Sequence, residues 1–147
     1  MHTLKRSSLV PHTQRQMFDL VNNIEEYPSF LPWCEKTTIV NRTESEVVAT
    51  LAISWKGMGK SLTTRNMLHP PGHMDIELVD GPLKYLKGKW GFLPVSDHAC
   101  KVLLDLEFEF TGGVMDVFFQ PIFQHIANTL VDAFCKQAGV LYGNHQD

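Results

Sequence analysis

The chain has 147 residues, of which 44% are hydrophobic and 20% charged, with a formal net charge of −3. That suits one soluble folded domain over residues 1–147 and excludes a strong general attraction to nucleic acid or anionic membrane, leaving only local basic patches open. The three cysteines, Cys34, Cys100 and Cys135, are odd in number and widely spaced, which excludes a disulfide framework and a C-x-x-C zinc site.

The opening MHTLKRSSLVPHTQ lacks the apolar core of a secretory signal, and no apolar run nears the roughly 18 residues that span a bilayer. The expected location is the cytoplasm. Residues 2–10 are predicted to form a first strand, ended by Pro11. Residues 13–22 place Met17, Phe18, Leu20 and Val21 on a helical stripe, with Thr13 or His12 as cap and Asn22-Asn23 as stop. A short turn, IEEY, is expected next. In YPSFLPWC, residues 27–34, Pro28 and Pro32 argue against regular helix. Phe30, Leu31 and Trp33 are nonetheless too apolar for an ordinary solvated loop.

Six strands are predicted after it. The first, 36–43, is β-branched but poorly alternating. In 46–55, Val47, Ala49, Leu51, Ile53 and Trp55 share a face, and Gly57-Met58-Gly59 reads as the following turn. KSLTTRNML, 60–68, is more polar and ends at His69-Pro70-Pro71-Gly72. HMDIELV follows. In 85–95, Leu86, Gly88, Trp90 and Phe92 oppose Lys87 and Lys89. In 101–110, Val102, Leu104, Leu106, Phe108 and Phe110 alternate with Lys101, Asp105, Glu107 and Glu109, as a half-buried strand does. Residues 114–142 carry a helical stripe of Phe119, Phe123 (or Ile122), Ile126, Leu130, Phe134 and Leu141. Pro121 allows regular helix from about residue 121. Grouped strands between helices point to an antiparallel α+β fold with the long helix covering the sheet.

Motifs for nucleotide, metalloprotease or serine-hydrolase chemistry are absent. No catalytic residue is assigned. His69 and His73 have a helical metal spacing, but the prolines and glycine between them prevent one helix face from presenting both, so no metal site is assigned. Glu107 and Glu109 read as part of a solvated face. Lys84, Lys87 and Lys89 form a candidate basic patch. Eight large aromatics, including all three tryptophans, either fill the core or wall a concave apolar pocket.

The whole chain resembles the coenzyme Q-binding branch of the START-like (polyketide cyclase) superfamily. The resemblance is carried by MFDLVNNIEEYPSFLPWC, residues 17–34. ISWKGMGKSLTTRN, GPLKYLKGKWGF, the last strand and FFQPIFQHIANTLVDAFCKQA support it. It implies a helix-grip fold, an antiparallel sheet curled around a long carboxy-terminal helix with a lipid-sized cavity between. It also implies non-enzymatic binding of a polyprenyl quinone, ubiquinone, in support of respiration, with no cofactor required. Bacterial members of this length are known as ribosome-association toxins, which implies binding to the large ribosomal subunit and a block on subunit joining. A cyclase-like enzyme is the third expectation. Phe30, Leu31, Trp33, Leu51, Ile53, Trp90, Phe92, Leu104, Phe108, Phe123, Ile126, Leu130 and Phe134 are the expected cavity walls, with the 27–34 segment as gate. Lys84, Lys87 and Lys89 are the expected ribosome contact. Expected partners are a quinone or other lipid, the large subunit and transiently a membrane, but not DNA.

Overall fold

The alternating segments assemble into one antiparallel sheet of seven strands. A computed structural model describes residues 1–143, with residues 114–116 through their backbone alone. The elements are β1 (His2–Val10), α1 (Gln14–Asn22), α2 (Tyr27–Phe30), β2 (Cys34–Arg42), β3 (Glu46–Trp55), β4 (Met58–His69), β5 (His73–Asp80), β6 (Leu83–Ser96), β7 (Ala99–Phe110) and α3 (Val114–Tyr142). The strand order is β1-β7-β6-β5-β4-β3-β2. Consecutive strands from β2 to β7 are neighbours, and β1 closes on β7.

Register shifts interrupt the β2–β3, β4–β5 and β6–β7 ladders. Such bulges bend strands and increase their twist, which suits a sheet curled around a helix. Gly88 serves the same end. A Cβ there would sit 2.5 Å from Leu106 Cδ2 and 3.0 Å from the Asp105 carbonyl oxygen, so any larger residue would force the Leu106 side chain and the β7 backbone to shift. The β3–β4 turn is built on Lys56 and Gly57, both at positive φ, rather than on Gly57-Met58-Gly59. Two such residues make the turn whose twist matches a hairpin.

Helix α1 begins at a capping box. Thr13 Oγ1 accepts from the Gln16 amide at 3.1 Å, and Gln16 Oε1 accepts from the Thr13 amide at 2.8 Å. Two backbone donors are thereby satisfied where the helix itself offers no acceptor. The face this helix buries is Met17, Phe18, Leu20 and Val21.

Two expectations about proline are corrected. Residues 27–30 form one α-helical turn, with Pro28 in its first positions. There a proline's missing N–H has no intrahelical partner to lose. Helix α3 starts at Val114 and continues through Pro121. Its buried stripe is Phe119, Phe123, Ile126, Ala127, Val131, Phe134 and Ala138. Leu141, expected on that stripe, is exposed. The end of α3 is held instead by Tyr142, whose hydroxyl donates to the Gln16 carbonyl at 3.3 Å.

Candidate functional site

The inward faces of β3 to β7 and the stripe of α3 do not meet everywhere. Between them lies a cavity of about 110 Å³. Of the expected walls, Trp33, Leu51, Ile53, Trp90, Phe123, Ile126, Leu130 and Phe134 border it. Phe92, Leu104 and Phe108 do not, which corrects their assignment. Phe92 is fully buried against Phe18 of α1, with ring centroids 5.8 Å apart. Phe108 packs on Phe123 at 5.0 Å and on His2 at 5.3 Å. Leu104 is fully buried opposite Trp90. Period-two alternation identifies the inward face of a strand, but not where along it the helix stops touching.

The missed walls are Tyr27, Leu62, Thr64, Asn66, Ile76, Leu86, Leu106 and Ala127. Leu62, Thr64, Asn66 and Leu68 form the inward phase of β4, so two polar residues face an otherwise apolar space. The phase of KSLTTRNML could have revealed them. Asn66 is 7% exposed, and its Oδ1 is buried without a hydrogen-bond partner. An orphaned buried acceptor costs about 1–3 kcal/mol. Tyr27 also borders the cavity, but its hydroxyl donates to the Val21 carbonyl, and burial raises its pKa. Among the described residues, no His, Asp, Glu, Lys or Cys lines the cavity.

A second depression lies outside. It measures about 420 Å³ and runs between α3 and the 30–33 segment, over Phe30, Leu31, Pro32, Trp33, Trp55 and His125. Phe30 and Leu31 therefore line this groove and not the inner cavity. Trp33 borders both. At 5% exposure, its indole is the partition between groove and cavity. Cys34 follows it, its thiol pushed up to about 11 by burial, which makes it a poor nucleophile at neutral pH.

The convex face carries the candidate lysines in a charge lattice. Asp75, Lys89, Asp105 and Lys5 stand side by side across β5, β6, β7 and β1. Glu77, Lys87 and Glu107 form the adjoining row, which Arg65 extends at 2.9 Å from Glu77. Lys84 reaches Glu109 at 4.0 Å. Each lysine thus has a carboxylate neighbour, and exposed pairs of this kind contribute at most about 1 kcal/mol each. The face has little net field to attract a polyanion from a distance.

His69 and His73 also meet on this sheet. The spacing argument excluded a shared helix face, but the β4–β5 hairpin pairs the two residues directly. Their rings stack with centroids 4.2 Å apart.

Comparison with known proteins adds a family and several relatives. A family model described as polyketide cyclase / dehydrase and lipid transport matches residues 10–135. The ribosome association toxin RatA of Pseudomonas aeruginosa is 40% identical over 95% of this chain and 97% of its own. The mitochondrial coenzyme Q-binding protein COQ10 of Drosophila melanogaster is 24% identical over 91% of this chain and 59% of its own. The solved structure of the Zhui aromatase/cyclase from Streptomyces sp. R1128 superposes with a TM-score of 0.83 over 97% of this chain and 98% of its own, at 14% identity. At that identity the likeness shows the helix-grip fold alone.

Proposed function

The chain belongs to the polyketide cyclase / dehydrase and lipid transport family, and from that premise we propose that it acts on ribosome association, binding the large subunit and blocking subunit joining without catalysing a reaction. The observation that carries this reading is the near end-to-end 40% identity to a protein named as a ribosome association toxin. The quinone-carrier expectation takes second place, because the coenzyme Q-binding relative is far more distant. The inner cavity, about 110 Å³, is also below the roughly 300–1,000 Å³ typical of ligand pockets. A cyclase reading has least support, since among the described residues the cavity wall offers no His, Asp, Glu, Lys or Cys, and its one ionisable hydroxyl, that of Tyr27, is engaged with the Val21 carbonyl.

Overexpression followed by sucrose-gradient sedimentation tests the first reading. Joined ribosomes should fall and free subunits rise. An unchanged ratio would exclude it. The combined Lys84→Glu, Lys87→Glu, Lys89→Glu variant tests the contact surface separately. It should lose the effect while staying folded. Full activity in that variant would move the contact surface elsewhere and leave the function standing.

One observation supports a small apolar ligand as a second reading. The orphaned Asn66 Oδ1 faces an apolar cavity, as a polar anchor for a ring-bearing hydroxyl or amide would. Asn66→Leu should raise stability by about 1–2 kcal/mol, because it removes a buried unpaired acceptor. It should also abolish any preference for a simple phenol over benzene in the native protein. Urea unfolding and ligand-observed NMR provide the measurements. No gain in stability would mean that a buried water already satisfies the oxygen.

A further inference from the structure

The tip of the β4–β5 hairpin gathers three metal-ligating side chains that neither the ribosome reading nor the cavity uses. His69 and His73 are cross-strand partners, and Asp75 lies two residues beyond His73 on the same strand face. The available ligand atoms of the three lie within 4.8 Å of one another. His69 Nε2 is 3.4 Å and His73 Nε2 is 3.8 Å from Asp75 Oδ2.

We propose that His69, His73 and Asp75 form a surface binding site for a divalent transition-metal ion of the zinc class. Two imidazoles and a carboxylate are the donor set this class prefers, and a fourth position is left to water or an outside ligand. Ligand atoms bound tetrahedrally at about 2.0–2.2 Å lie roughly 3.3–3.6 Å apart, close to the two distances seen. The remaining adjustment falls on solvent-accessible side chains that turn at little cost. The backbone beneath them is fixed by β pairing and by the Phe92 amide, which donates to the Gly72 carbonyl at 2.9 Å.

Charge around the site sets its strength. His73 has a lowered pKa through partial burial, then through His69 and Lys89, against the opposing pull of Asp75. Lys89 stands opposite Asp75 in register, competing for that carboxylate and repelling a dication. The proposal thus makes a prediction that an ordinary His–Asp surface pair would not: removing Lys89 strengthens zinc binding.

The test is zinc titration of the untagged, full-length protein against a fluorescent zinc indicator, together with NMR of the histidine ring resonances. Zinc should bind one site and move the rings of His69 and His73. His73→Ala should weaken binding by at least the about tenfold that even outer-shell losses cost. Lys89→Gln should tighten it by about threefold, the scale of one unit charge beside a dication in salted water. All three side chains are solvent-accessible, so circular dichroism should show every variant folded. Zinc binding that His73→Ala leaves unchanged, rings that do not respond, or weaker binding by Lys89→Gln would overturn the site.

Discussion

Phe134→Ala is expected to lower the unfolding free energy by about 3–5 kcal/mol and the melting temperature by roughly 10–16 °C. Phe134 is 1% exposed. Its ring stands edge-on to Tyr27, Phe30 and Trp90, each with centroids 5.3 Å away. The first two belong to α2 and the third to β6, so one side chain ties α3 to both layers. Each such edge contact adds about 0.5–1.5 kcal/mol beyond the area it buries. A domain stabilised by about 5–15 kcal/mol overall would lose a large fraction of its margin. Urea unfolding measures the loss. A change below about 1 kcal/mol would show that neighbouring rings collapse into the space. Leu141→Ala, at an exposed position of the same helix, should stay within about 0.5 kcal/mol.

Trp33→Ala is expected to have two effects at once. A buried tryptophan truncated to alanine costs about 3–5 kcal/mol. It also removes the partition between the 420 Å³ groove and the 110 Å³ cavity. The joined space falls within the range that holds a drug-sized apolar ligand, so the folded variant should bind an environment-sensitive apolar dye that the parent protein excludes. Trp33→Phe should keep the cavity closed at a smaller stability cost. Dye fluorescence on protein shown folded by near-ultraviolet dichroism gives the answer. Lost stability without dye uptake would make the 27–34 segment scaffold and not gate.

What the sequence disclosed followed the strength of its periodicities. Five apolar residues alternating with charges from Val102 to Phe110 defined β7 and its buried face. Of the two candidate caps, Thr13 and His12, the structure uses Thr13, and Gln16 completes a capping box with it. Proline was harder to read, because its effect depends on its position in a turn. Pro28 begins one turn and Pro121 is carried within a long helix, and the residue type is the same in both. The cavity required knowledge of where helix and sheet separate, which no single strand encodes. Phe92, Leu104 and Phe108 share the inward phase of the cavity walls yet fill the core. Asn66 was passed over because β4 looked merely polar, and only the phase of its alternation shows that the polar groups point inward. The prolines and glycine between His69 and His73 exclude a shared helix face, whereas antiparallel register brings them together.

The pairing of β1 with β7, His2 opposite Phe108 and Val10 opposite Cys100, has a consequence for biosynthesis. Strand β1 finds its partner only after every other strand of the sheet has been made. At about 5–20 residues per second, the wait is roughly 5–20 s. Throughout it, the strand's hydrogen-bonding edges are open to other chains. Lys5 and Arg6 in its middle are the kind of charges that discourage stray edge pairing. The long-range closure they protect should make folding slower than in helical proteins of this size.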